Sequence, residues 1–99
     1  MKIQKKIKIA GHEIKVVFKD QLESDGLSCI GLAFLQQNRI ELAMKVDEVP
    51  LCPDQLGCAF LHEMLHFISN LHGIGLNEKK VSQLELGLYQ CLHDNKIRF

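Results

Sequence analysis

Pro53-Asp54-Gln55-Leu56-Gly57-Cys58-Ala59-Phe60-Leu61-His62-Glu63-Met64-Leu65-His66-Phe67-Ile68-Ser69-Asn70-Leu71 is the stretch that decides how this 99-residue chain is read. Pro53 suits a first helical position, where the N–H it lacks has no intrahelical partner anyway. Asp54 and Gln55 sit in the first turn, where the positive end of the helix dipole favours Asp54. Gly73 and Gly75 then stop the helix. Between these signals the residues are apolar nearly all round, including Leu56, Phe60, Leu61, Met64, Leu65, Phe67 and Ile68. A helix without a polar face belongs in the middle of its domain. Yet this helix also carries His62, Glu63 and His66.

Histidines at i and i+4 lie about 40° apart on one helical face, so their imidazoles can converge on one metal ion. Glu63 is offset beside them toward the rim, within reach of a metal-bound water. This is the HExxH arrangement of zinc peptidases. Burying two imidazoles and a carboxylate without partners would cost several kcal/mol, a cost that a metal removes. The plainer reading is two satisfied core histidines beside a surface glutamate.

A catalytic zinc takes three protein ligands and keeps one position for water. Cys58 shares the face of His62. However, a Cys-His-His set along one helix spreads over about 12 Å, so Cys58 is read as core. The better candidate is Glu78, which opens a second helix over about Glu78–His93 behind the N-cap Asn77. The turn Gly73-Ile74-Gly75 folds that helix back on the first. Glu85, two turns further at nearly the same angle, is the alternative. The plainer reading of either is an exposed carboxylate.

The second helix has an apolar stripe of Val81, Leu84, Leu88, Cys91 and Leu92. The first half of the chain reads as strands. Ile3, Ile7 and Ile9 stand among lysines that discourage edge pairing. Ala10-Gly11-His12 turns the chain into Glu13–Lys19, giving a hairpin. Gln21–Leu27 reads as loop. Cys29–Leu35 and Arg39–Ala43 form a second hairpin, and Asp47–Pro50 leaves the sheet. Strands first and helices last predict an α+β fold: a small antiparallel sheet of three or four strands with the HExxH helix and a C-terminal helix on one face. Residues 1–99 are expected to form one domain, mainly β over 1–45 and two helices over 53–93.

Composition agrees with a globular chain, at 46% hydrophobic and 24% charged residues. Twelve Lys+Arg balance twelve Asp+Glu, which argues against a nucleic-acid partner. No apolar run approaches the roughly 18 residues of a membrane span. No apolar region follows Met1–Lys6, so a cytoplasmic chain is expected. Cys29, Cys52, Cys58 and Cys91 are read as reduced thiols, mostly small buried hydrophobes.

His62-Glu63-x-x-His66 followed by Asn77-Glu78-x-x-Val81-x-x-Leu84 resembles the gluzincin metallopeptidases. Residues 30–92 resemble in particular the small phage-encoded ImmA/IrrE-type metallopeptidases, whose "Asn-x-Ile-x-Leu"-like strand is matched by Asn38-Arg39-Ile40-Glu41-Leu42. The resemblance implies a zincin-like domain with one Zn2+ per chain on His62, His66 and Glu78, Glu63 as catalytic base, a protein or peptide substrate and a phage or mobile-element origin. The chain departs from larger relatives in having Val81 and Leu84 where a small-residue run follows the Glu, and in showing no accompanying DNA-binding or sensor domain. The implied chemistry is metal-assisted hydrolysis. Tyr89, His72 and His93 are candidate oxyanion stabilisers, with a structural role open for each. Arg39–Ala43 is a candidate cleft-rim strand for an extended substrate. The alternative function is a zinc-bound, catalytically silent binding or regulatory module.

Overall fold

Two antiparallel hairpins build the sheet, and the way they join sets its topology. In the computed structural model, which describes residues 3–97, β1 (Lys6–Ile9) pairs with β2 (His12–Lys19). The turn residues Ala10 and Gly11 both have positive φ, as hairpin turns matching strand twist require. Two shorter ribbons follow the same device. β3 (Leu22–Ser24) and β4 (Leu27–Cys29) turn at Asp25-Gly26. The stretch expected as loop over Gln21–Leu27 is therefore largely a hairpin. The second principal hairpin is β5 (Gly31–Phe34) with β6 (Arg39–Ala43), joined by a 3-10 turn at Leu35–Gln37. β7 (Lys45–Val46) and β8 (Val49–Pro50) make a last ribbon where the chain was expected simply to leave the sheet.

The four-stranded sheet has the order β1-β2-β6-β5 and is mixed, which corrects the expected antiparallel arrangement. Each hairpin presents its second strand to the other, and both second strands run the same way. β2 and β6 consequently pair in parallel, with Val16 beside Ile40 and Phe18 beside Leu42. Burial explains why β6 takes the inner place: Ile40, Leu42 and Ala43 are each 0% exposed, and a strand so apolar needs both edges covered. β5, with every residue only half-buried, is left as a free edge.

α1 (Pro53–Leu71) matches the expected span. The Cys52 N–H donates to Gln55 Oε1 at 2.9 Å, satisfying one orphan donor at the helix start. Phe60 and Phe67 pack into one cluster with Ile9, Ile14, Val16, Ile40 and Leu42 of the sheet. Each such aromatic contributes about 1.5–3 kcal/mol of apolar burial. Ser69 is buried and governs the exit. Its carbonyl accepts from Ile74 N–H at 2.9 Å and its hydroxyl from Leu76 N–H at 2.8 Å. Gly73 and Gly75, both at positive φ, carry the chain around this anchor to Asn77, whose side chain accepts from Lys80 N–H at 2.8 Å.

α2 (Glu78–Asp94) packs against α1. Its inward face is not the expected apolar stripe. Val81 is buried, and Glu85, Tyr89 and Leu92 are half-buried, whereas Leu84, Leu88 and Cys91 are exposed. The helix is rotated because Glu78, Glu85 and Tyr89 each find a polar partner on α1, as set out below. Helices thus follow strands in an α+β chain. All four cysteines are free thiols, Cys52 and Cys91 exposed rather than buried. Among the described residues no helix is long and apolar enough to cross a membrane.

Candidate metal centre

Position 62 is one step, about 100°, from position 63 around a helix, and α1 uses that step to separate two tasks. Glu63 shares a face with Phe60 and Phe67 and points at the sheet. His62 and His66 point toward α2. The start of α2 brings Glu78 to meet them. Its carboxylate oxygens lie 2.5 Å from His62 Nε2 and 2.9 Å from His66 Nε2, and the two Nε2 atoms are 3.2 Å apart. One ligand atom from each residue lies within 4.8 Å of the other two. Atoms held about 2.0–2.1 Å from one ion at tetrahedral angles sit about 3.3–3.4 Å apart, so the two nitrogens are already spaced as neighbouring ligands. His62, His66 and Glu78 are close enough to hold a metal ion.

Glu85 takes a different position from Glu78. Its Oε1 lies 2.8 Å from the other ring nitrogen of His62, Nδ1. A proton on Nδ1 donated to Glu85 leaves the Nε2 lone pair facing the cluster, the usual way a carboxylate orients a ligating imidazole. Burial works against a charge on His62, but Glu85, Glu63 and Glu78 together outweigh it and hold its pKa above the ordinary value. An imidazole pressed by three carboxylates is a site arranged for positive charge.

Glu63 is buried, at 7% exposure, and not offset at the rim as expected. β5 passes directly over it. A Cβ at position 31 would stand 3.0 Å from Glu63 Oε2 and 3.3 Å from Leu42 Cδ2, so glycine lets the strand lie this close without displacing the acid. The carboxyl loses hydration there. Burial pushes its pKa up to about 7, helped by Glu78 and Glu85 and opposed by His62. Carboxyl groups with pKa values raised in this way cluster at reactive sites.

The expected rim strand is corrected as well. β6 is paired on both sides, and the free edge beside the cluster is β5. A cleft of about 290 Å³ lies between Gly31–Ala33 and the residues His62, His66 and Glu78. None of the three candidate oxyanion stabilisers faces it. The Tyr89 hydroxyl donates to Asp54 Oδ1 at 2.6 Å, a bond that pushes its pKa up to about 12. His93 stacks on Tyr89 at 5.7 Å between ring centroids, and His72 caps the exposed end of α1. Cys58 remains apart from the His62-His66-Glu78 group.

Sequence reasoning missed the part played by Gly31, which lies within the run Cys29–Leu35. A glycine inside a strand is itself a signal of close backbone approach. It also missed Ser69, a buried hydroxyl whose bond to the Leu76 N–H has no sequence signature. Compared with family models, curated proteins and solved structures, the chain matches none.

Proposed function

We infer that this chain is a zinc-dependent metalloendopeptidase, a minimal zincin-like hydrolase of the gluzincin kind akin to the ImmA/IrrE-type peptidases, acting on protein or peptide substrates. The observation that carries the reading is the convergence of His62 Nε2, His66 Nε2 and the Glu78 carboxylate within 4.8 Å, with Glu85 on the far nitrogen of His62. Two imidazoles and a carboxylate are the donor set of a catalytic zinc with one position left for water. When bound, zinc lowers the pKa of that water toward roughly 7 and polarises the scissile carbonyl.

The remaining work falls to the chain's own residues. Glu85 fixes the tautomer of His62. Glu63 accepts the proton of the attacking water and passes it to the leaving amine; its acidity near neutrality suits both transfers. The overlying strand limits the access of bulk water to that carboxyl. The free edge of β5 supplies unpaired N–H and C=O groups that can hold an extended peptide across the cleft.

Metal analysis of purified protein should return about one zinc per chain. Glu63→Gln should keep that zinc and lower hydrolysis of an unfolded protein substrate by about 10²–10⁴-fold. If the zinc-loaded chain leaves such substrates intact, the alternative of a zinc-bound, catalytically silent module replaces the peptidase reading. Equal activity in the variant would remove Glu63 from its role.

A further inference from the structure

The cleft over the His62-His66-Glu78 group ends at Gly31, but the open space does not. On the other side of His62 and Glu63 lies a second cavity of about 430 Å³, within the ~300–1,000 Å³ usual for ligand sites. Its walls are apolar where Ile30 and Ala59 face one another, and Cys58 adds to them. Three acids line it, Asp54, Glu63 and Glu85, beside His62 at its inner end; no lysine or arginine does.

The acids are arranged for an incoming group. Tyr89 holds Asp54 by Oδ1, and His62 holds Glu85 by Oε1. The second oxygen of each carboxylate has no hydrogen bond among the described residues. Glu63, at 7% exposure, lines the same space; its carboxyl makes no hydrogen bond among the described residues, and its oxygens are not sealed from solvent. His62 is the counter-charge of Glu85, and the start of α1 contributes only about half a positive charge, which leaves the carboxylate of exposed Asp54 as the acid open to an incoming cation. Both carboxylates are felt at Cys58, whose thiol pKa is raised by burial first and then by Glu85 and Asp54.

We propose that this cavity is the specificity pocket for a peptide residue next to the scissile bond, and that it takes a lysine or arginine side chain. The proposal rests on the peptidase reading. A peptide laid along the edge of β5 passes Gly31, which with His62 and Glu63 borders both cleft and cavity, so its next side chain enters beside Ile30 and Ala59. The aliphatic stem of a basic residue packs on those walls while its head stays near solvent. Asp54, exposed at the mouth, meets that head. Tyr89 is a positioning residue, since it fixes the Asp54 carboxylate.

Binding tests this without turnover. N-acetyl-arginine methylamide, titrated at millimolar concentration into the zinc-loaded protein, should shift the backbone amide resonances of residues 30, 31, 58 and 59. N-acetyl-norleucine methylamide, of similar length and uncharged, should bind more weakly. Asp54→Asn should weaken the arginine amide by about threefold to tenfold, in keeping with one partly exposed charge pair, and leave the norleucine amide unchanged. Tyr89→Phe should weaken the arginine amide by a smaller factor. Equal binding of both amides, or an Asp54→Asn variant that binds the arginine amide as the native chain does, overturns the pocket assignment. A chain that binds as expected yet hydrolyses nothing retains the pocket and fails only the peptidase reading.

Discussion

The two helices supply the same centre but are held in different ways. α1 buries Phe60, Glu63 and Phe67 against the sheet, and its position is set by close packing. α2 has one buried residue, Val81. Leu92 is half-buried on the same face, and polar contacts tie α2 to α1, from Glu78 to both histidines, from Glu85 to His62 and from Tyr89 to Asp54. Leu84, Leu86 and Leu88 face outward at 47%, 66% and 39% exposure. The helix that carries the histidines is thus fixed by the fold, whereas the helix that carries the third ligand is fixed largely by the site. A bound cation would join the two, so metal affinity and the docking of α2 are one equilibrium.

The largest effect that can break this contrast is on metal binding. Glu78→Ala should lower zinc affinity by orders of magnitude, as read by competition with a chromophoric chelator. Glu85→Ala removes only an orienting hydrogen bond and should cost about 10–100-fold. A larger loss from Glu85 than from Glu78 would exchange their roles.

Next comes stability. Phe67, at 0% exposure, should cost about 3–5 kcal/mol when changed to Ala. Leu84→Ala on the outer side of α2 should stay within about 0.5 kcal/mol. Urea unfolding of the two variants decides the point, and comparable losses would mean that α2 is packed as firmly as α1.

The last effect is a slope with pH. The carboxyl of Glu63 sits at about 7 in the folded chain against an ordinary 4.5. Between those values the folded state binds the proton more tightly than the unfolded state. Stability must therefore fall as pH rises through this window. In chelator-treated protein, Glu63→Gln should flatten the fall by on the order of 3 kcal/mol between pH 5 and pH 8. Parallel curves for the two proteins would show that the side chain is not desolvated by its neighbours.

Much of this was legible in the sequence because the informative residues act locally. Pro53, Gly73, Asn77 and the spacing of His62 and His66 fix helix limits and a shared face through short-range geometry. Glu78 was reachable from the length of the turn before it. The parallel pairing of β2 and β6 was not, since it depends on which strand of a hairpin is the more apolar and so turns inward. The rotation of α2 was hidden for a related reason. An apolar stripe competed with three polar residues whose partners lie on another helix, and the polar set won. Gly31 over Glu63 joins residues far apart in sequence, and nothing in either neighbourhood announces the contact.

That last contact ties the histories of two positions together. While a carboxylate occupies position 63, a Cβ at 31 would stand 3.0 Å from its Oε2, so a side chain there forces the acid to shift and glycine is favoured. Should a descendant lose the acid to alanine or serine, the space above it opens and position 31 becomes free to drift. Substitutions at the two sites should then appear in a preferred order, 63 before 31. In lineages of this chain, a bulky residue at 31 would serve as a fossil of lost chemistry.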